Sequence, residues 1–464
     1  MNDSDPTRAA DGHVRRQETH DPKQLRKTVL ASLVGTIAEY YDFFIYGTAS
    51  ALVFNKIFFP EFDPLVGMLA AFSTYAVGFF ARPLGGLVWG HVGDKIGRKK
   101  ALVFTLLITG MGTFVIGLLP TYKSIGLWAA AILIFVRLVQ GFGVGGEQGG
   151  AVLLTAEAAP PARRGLFASF VQMGSPAAYL IPSGLFAFLI THLSEEQFLS
   201  WGCRIPFLLS AVVVAVGLYI RLHLDESETF KAAKAEQALQ KAPVKVVLKD
   251  HRRVTLLGMG SKFVEAAVFP FYTVFLVAYA KYLHVDTAII LKGLMIAITV
   301  ELVMIPFWGR LTDLVGRKPV FLGAAILNLV LIWPAFWAVQ NGQVLPIVAI
   351  LIAGLALGHA GTYAPQASFY PELFPVQGRY TGVSLVWQCG AMLASGPFTV
   401  VAAALLVAGG GSVTGVAIYV SALILISIVC LILLPETAPT VRGGTEYADW
   451  PTARAAAKLP DVLA

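Results

Sequence analysis

The sequence predicts an all-α membrane protein of twelve transmembrane helices arranged as two halves of six. Three observations carry that expectation. Of 464 residues, 56% are hydrophobic and 14% charged, against roughly 25% charged in soluble domains. Apolar runs of about 20 residues, the length that spans a hydrocarbon core, recur twelve times. A charged motif, "GHVGDKIGRKK" at Gly90–Lys100, returns as "GRLTDLVGRKP" at Gly309–Pro319 with Gly, Asp, Gly, Arg and Lys in the same register.

The elements follow in order. Residues 1–27 form a polar tail carrying Arg15, Arg16, Lys23, Arg26 and Lys27; no short apolar region in it ends in a small-residue cleavage site, so the first span, 28–54, is expected to insert directly. Runs 65–90 and 101–120 flank the first copy of the motif, and runs 125–155, 165–191 and 204–222 complete a half covering 28–223. The longest polar stretch, 224–253, includes "DESETFKAAKAEQALQK" and reads as a linker. Runs 254–280 and 288–308 precede the second copy, runs 319–340, 345–366, 380–407 and 412–435 follow it, and together they make a half covering 254–435. Residues 436–464 form a second tail. A second repeat supports the duplication: "TAEAAPPARRG" (Thr155–Gly165) and "YPELFPVQGRYTG" (Tyr370–Gly382) both place Glu, then Pro three on, then Arg four further. These are Glu157 with Arg164 and Glu372 with Arg379.

Lys and Arg concentrate in the N-terminal tail, in alternate loops and in the C-terminal tail, which places both termini in the cytoplasm. The formal charge of +7 therefore records topology and gives no ground for nucleic-acid binding. Cys203, Cys389 and Cys430 share no metal-ligand or disulfide spacing, and no metal or cofactor is expected. "GFGVGG" (Gly141–Gly146) matches a dinucleotide fingerprint only in letters; it follows an apolar helix where a strand is required, so its small residues are expected to serve helix packing.

Charges inside apolar spans are costly, roughly 2.5–3.5 kcal/mol each at mid-membrane, and so mark candidate sites: Glu39, Asp42, Arg82, Arg137, Glu147, Lys262, Glu265 and Glu301. Glu39 and Asp42 share a helix face, which Tyr46 continues and which is expected to look into a cavity. Lys262 and Glu265 share a face of the seventh span, with Tyr272 below, and these three with Tyr46 are expected to contact substrate. Arg82 and Glu147 are as readily explained by packing or snorkelling. His359 is expected to be structural, and Glu301 has no assigned role. In the repeated loop, Gly90, Gly93 and Gly97 are expected to let the backbone turn between helices.

These residues resemble the major facilitator superfamily, and within it the metabolite:proton symporters, over about Gly35 to Thr437. The resemblance rests on "EYYDFFIYG" (Glu39–Gly47), "RPLGG" (Arg82–Gly86), "GHVGDKIGRKK", "RLVQGFGVGGEQGGA" (Arg137–Ala151), "AEAAPPARRG", "RIPFLLS" (Arg204–Ser210), "FYPELFP" (Phe369–Pro375) and "PET" (Pro435–Thr437). Tyr40, Gln148 and Cys203 depart from it, standing where relatives often carry Trp.

The resemblance implies a substrate site between the halves and a gate in the repeated loops, with Asp94 and Arg98 latching the cytoplasmic side and Asp313 and Arg317 in the lesser counterpart. The alternative for these charges is that they only hold the loop inside. Arg137 stands where related sugar porters place an arginine that pairs with a first-span acid, and Asp42 occupies that acid's position, so the pair, with Glu39 in reserve, is expected to carry the proton. Its alternative is a static ion pair. Gln172 matches a substrate-contacting position of sugar porters, and Gln388 faces a similar place by the repeat.

The expected function is proton-driven import of a small polar metabolite by a monomer in a bacterial inner membrane. Arg137 and Lys262 suit an organic acid of the shikimate, dicarboxylate or aromatic-acid kind. A proline- or betaine-like osmolyte is the alternative substrate, and drug efflux by proton antiport is an alternative of a different class. No nucleophile or metal constellation points to an enzyme.

Overall fold

The computed structural model describes residues 22–62, 64–145, 147–222, 243–375, 378–439 and 441, and every regular element among them is helical. Most of both tails, residue 223 and residues 224–242 of the expected linker lie outside the described residues. The long helices are α1 (Pro22–Ala49), α2 (Pro64–Ile96), α3 (Arg98–Leu118), α4 (Leu127–Ala158), α5 (Pro161–His192), α6 (Gly202–Ile220), α7 (Arg252–Tyr282), α8 (Thr287–Val315), α9 (Arg317–Asn341), α10 (Val344–Glu372), α11 (Arg379–Ala408) and α12 (Thr414–Leu433). Among the described residues, eleven of these are long and apolar enough to cross a membrane. The twelfth is the 33-residue α2, about 50 Å long at 1.5 Å per residue.

The outside of the bundle is apolar: Leu127, Trp128, Val303, Leu345 and Val407 are each at least 70% exposed, as befits a surface solvated by lipid chains. With lipid outside, packing between helices depends on close backbone approach through small residues. "GFGVGG" does this: a Cβ on Gly141 would lie 2.1 Å from the Gly78 carbonyl oxygen of α2, and one on Gly143 would meet Ile108 of α3 at 2.9 Å.

The halves meet along two seams, α2 against α11 and α8 against α5, and glycines of the repeated motif line both. Gly90 abuts Thr381 of α11, and a Cβ on Gly93 would lie 1.9 Å from the Tyr380 ring. The repeat places Gly309 of α8 equivalently, its Cβ 2.5 Å or less from Ser169 Oγ and Cβ of α5. Gly90 and Gly93 were expected to turn the chain; both instead lie inside α2 and act by close approach. The turn belongs to Gly97 and Gly316, which precede α3 and α9 with φ of 116° and 118°, a region L side chains rarely enter.

Besides the π-helical turn at Ser50–Phe54 that continues α1, two helices are locally widened in mid-course. Pro270 in α7 is followed by a π-helical turn at Phe271–Phe275, and α10 carries another at Ala353–His359. Such turns re-aim side chains and recur at functional sites; the second ends on His359. At the end of the bundle away from the linker, Lys56 pairs with Glu195 at 2.6 Å and holds that exposed carboxyl below its ordinary range.

Candidate functional site

Three groups of buried polar residues occupy different depths of the bundle. At the linker end, the charges of the two repeats are interleaved across the seams. Glu157 and Glu372 were expected in loops beyond the fourth span of each half; they lie in the last turns of α4 and α10, because the helices continue past their apolar stretch. Each pairs with the repeat arginine of the opposite half, Arg379 Nη1 with Glu157 Oε1 at 3.0 Å and Arg164 Nη1 with Glu372 Oε1 at 3.3 Å.

Asp313 reinforces this crossing. Its carboxylate accepts from Arg317 Nη1 at 2.5 Å within its own half and from the backbone N–H groups of Gly165 (2.8 Å) and Leu166 (2.9 Å) in the other half. Those two N–H groups open a helical turn of α5, where unpaired donors favour an anion. Arg317, fully buried, also donates to Glu372. The sequence reading missed the role of "PET": Glu436 accepts from the N–H groups of Arg317 and Lys318 at the start of α9, and Thr437 Oγ1 donates to Glu372 at 2.6 Å. The side chains of Asp94, Arg98 and Glu147 lie outside the described residues.

Deeper, a cavity of about 70 Å³ lies between the halves. The first half contributes Glu39, Tyr40 and Phe43 of α1 and Arg82 of α2; the second contributes Lys262, Glu265 and Phe269 of α7, His359 of α10, and Trp387 and Gln388 of α11. Arg82 sits over the Phe79 and Phe43 rings at 4.3 and 4.9 Å, so aromatic faces stabilise its charge. Lys262 Nζ donates to Glu265 and to Gln366 Oε1 (3.2 Å), and lies 5.4 Å from the centre of the Trp387 ring. Tyr363 donates to Tyr40 across the halves at 3.2 Å.

Behind Glu265 the chain of polar groups continues. His359 Nε2 is 3.6 Å from Glu265 Oε1, and its Nδ1 is hydrogen-bonded to Glu301 Oε1 at 2.5 Å. Glu301 is fully buried and His359 nearly so. His359, expected to be structural, is thus on the cavity wall, and Glu301 is its partner. No local spacing announced this, because 58 residues separate the two; the available signal was a carboxylate inside an apolar span.

The third group lies within the first half. Arg137 stands over the Tyr46 ring at 3.8 Å and donates to Gln140 Oε1 at 3.1 Å; Gln140 in turn donates to Thr113 at 2.6 Å. Tyr46 shares a hydrogen bond with Thr74. Asp42 is buried one helical turn before Tyr46 on α1.

Three residues expected to contact substrate are absent from this cavity's wall. Tyr46 is taken up by Arg137. Gln172 donates to the Tyr363 carbonyl at 3.1 Å and so joins α5 to α10. Tyr272 is wedged against Gly354, where a Cβ would be 2.1 Å from the ring, because the wide turn after Pro270 directs it into the second half. Gln388 does line the cavity, and it also donates to the Val144 carbonyl across the halves at 3.3 Å.

Comparison with known proteins gives the family. The model of the family "Sugar (and other) transporter" matches residues 27–256. The chain is 39% identical over 421 residues to an inner membrane metabolite transport protein, YhjE, of Escherichia coli (strain K12), covering 89% of this chain and 94% of that one. It is 34% identical to the shikimate transporter of the same strain (89% and 95% covered) and 33% identical to the proline/betaine transporter of Salmonella typhimurium (92% and 87%). Its fold matches the solved structure of the proton:xylose symporter XylE bound to 6-bromo-6-deoxy-D-glucose, with a TM-score of 0.72 at 16% identity over 93% of this chain and 99% of that one. A multi-pass protein of the bacterial inner membrane and a transporter rather than an enzyme, the chain belongs to the metabolite transport proteins of the major facilitator superfamily.

Proposed function

We propose that the protein is a proton-coupled symporter that imports a small organic acid by alternating access, with its termini and linker in the cytoplasm. The observation that carries the substrate class is Lys262, a buried cation on the wall of the cavity between the halves, with Arg82 on the facing wall. A carboxylate entering there gains a charge-assisted hydrogen bond from Lys262 in a site shielded from water. Glu265 pairs with the lysine, as the anion that a substrate carboxylate would displace.

The orientation rests on the basic residues of the motif loops and of the chain around the linker, which keep those segments inside. The reciprocal pairs Glu157–Arg379 and Glu372–Arg164 then form a cytoplasmic gate that is closed here and must separate in the inward-facing state. Asp42 and Arg137 carry the driving proton: ionised, Asp42 holds the arginine neighbourhood together, and protonated, it releases it and biases the helices toward the other face.

One observation favours a second reading. Trp387, Tyr40, Phe43 and Phe269 surround the cavity beside the carboxylates of Glu39 and Glu265, a setting in which aromatic faces and an anion suit a quaternary ammonium. A zwitterion such as betaine could use that wall together with Lys262. Uptake of radiolabelled shikimate and of radiolabelled glycine betaine into proteoliposomes under an imposed inward proton gradient separates the two. Concentrative shikimate uptake, collapsed by a protonophore, is the expected result; betaine uptake alone would transfer the assignment to an osmolyte, and export of hydrophobic dyes without either would favour antiport.

A further inference from the structure

We infer that Glu265, His359 and Glu301 form a second proton-carrying site, located in the C-terminal half, whose affinity for a proton is set by whether an anion occupies Lys262. The inference rests on the reading that the cavity receives an anion. Its starting point is geometric. His359 lies between two carboxylates from two different helices, with Glu301 of α8 on Nδ1 and Glu265 of α7 beyond Nε2. Glu265 Oε1 at 3.6 Å is too long for a hydrogen bond and within reach of one after a small side-chain movement. Its other oxygen is held by Lys262. Glu265 therefore stands between the lysine and the histidine and can serve either.

Among the described residues, the rings packed on the imidazole carry no charge. Tyr363, one turn on along α10, stacks on it at 5.3 Å, and Phe269 of α7 tilts against it at 4.9 Å. From α9 the neighbour is Asn328, packed against Gly358. From the first half, Tyr40 reaches Tyr363 by a hydrogen bond, and Glu39 and Arg82, of opposite charge, share the cavity. The groups that decide the charge of this corner are thus Lys262, Glu265, Glu301 and His359 itself.

Their count gives the coupling. With neutral His359, one cation stands against two carboxylates and the group carries −1; a proton on Nε2 brings it to zero. A substrate carboxylate on Lys262 adds −1 again and frees Glu265 to turn toward His359. The proton then binds Nε2 and is shared with Glu265 Oε1, while Nδ1–H remains on Glu301, so nothing else need be gained or lost. Because linkage is reciprocal, a protonated His359 favours anion binding as much as the anion favours the proton. A unit charge brought into the same low-dielectric cavity shifts proton affinity on the order of tenfold. A zwitterion adds no net charge and should shift it far less.

The test uses the full chain in lipid nanodiscs with ¹⁵N-labelled histidine, the His359 resonances being identified by their loss in His359→Gln. Without substrate, His359 is expected to change protonation state within the pH range that the nanodiscs tolerate, and Glu301→Gln should weaken its proton affinity at least tenfold. Saturating shikimate, the anionic probe, should strengthen it about tenfold; glycine betaine should not, and Lys262→Ala should abolish the shikimate effect. In proteoliposomes His359→Gln should lose pH-driven shikimate accumulation while still exchanging labelled for unlabelled shikimate. A histidine that keeps one protonation state across the range, or that ignores Glu301→Gln, overturns the site. An equal shift with betaine, or full pH-driven accumulation by His359→Gln, overturns the coupling. If the wild-type protein neither binds nor transports shikimate, the organic-acid reading is what fails, and the ligand-free titration with Glu301→Gln still decides the site.

Discussion

Asp313→Asn should open the linker end of the bundle. The carboxylate accepts from Arg317 and from the N–H groups of Gly165 and Leu166 in the opposite half, and its side chain is 1% exposed. Asparagine keeps one acceptor oxygen and presents an amide NH₂ in place of the other. One cross-half bond is therefore lost and the survivor falls from charge-assisted to neutral, about half its strength. At roughly 1.5–3 kcal/mol per bond to a charged group, the closed arrangement loses about 2–4 kcal/mol relative to the open one. At 1.4 kcal/mol per tenfold, that is roughly a 30- to 700-fold shift in the ratio of the two. Arg317 stays held by Glu372, so its guanidinium is not left alone and the fold should survive. Hydrogen exchange measured by mass spectrometry on the variant in nanodiscs reads the shift. Amides at Arg164–Gln172 lose protection whatever happens, since of the two bonded to Asp313 one loses its acceptor and the other keeps only a neutral one. The informative peptide is the start of α11 at Arg379–Leu385, which lies on the other seam and should exchange at least tenfold faster, while the far end at Glu195–Ser200 is unchanged. Faster exchange confined to α5 would refute the two-state clamp and leave Asp313 a local helix cap.

Other outcomes follow from the same geometry. Glu157→Arg or Arg379→Glu alone breaks a buried pair, at about 3–5 kcal/mol, and should abolish uptake; the double charge reversal should restore at least a tenth of wild-type initial rate in proteoliposomes. Gly93→Ala places a methyl group into the Tyr380 ring, so the closed seam between α2 and α11 should be disfavoured and uptake slowed at least tenfold with expression unchanged by immunoblot. Lys262→Ala should raise the apparent KM for an anionic substrate at least tenfold with a smaller effect on maximal rate; an unchanged KM would mean that another cation reads the carboxylate. Asp42→Asn mimics the protonated acid, so pH-driven uptake should vanish while exchange in preloaded vesicles persists; intact pH-driven uptake would remove Asp42 from the coupling.

How much of this was legible in the sequence depends on whether the signal was local. Hydrophobic runs fixed the helices because each needs only its own residues, and the repeat placed Gly97 and Gly316 in register before their matching φ values of 116° and 118° were known. Which partner a side chain takes was not legible. Glu157 lies 222 residues from Arg379 and Glu372 lies 208 from Arg164, and nothing in either motif says that the pairs cross between halves. Tyr46 and Tyr272 were assigned to the cavity from helical spacing, which gives a face but not what the face meets; the π turn at Phe271–Phe275 changes the phase of α7. His359 was read as structural because one histidine on an apolar helix carries no pattern, and Glu301 could be seen as costly without its partner being visible.

The two halves match in the charged pairs at the linker end and differ in the polar groups around the cavity, and under the proposed transport cycle the difference has a physical reason. A gate that opens alternately needs matching contacts on both seams, and a duplicated unit that exchanges its Glu and Arg across the pseudo-twofold supplies them with one set of residues used twice. A substrate site cannot be symmetric in this way, because a small metabolite has no twofold axis of its own. The first half accordingly places Arg137 over Tyr46 near Asp42, away from the cavity wall, while the second places Lys262, Glu265 and His359 on that wall with Glu301 behind. Tyr363, donating to Tyr40 from one half to the other, is stacked on His359 and lies 5.9 Å from Lys262 Nζ at its ring centre. A change of charge on either side of that bridge therefore acts on an element that both halves share, which is the condition for a proton taken up in one half to bias the packing of the other.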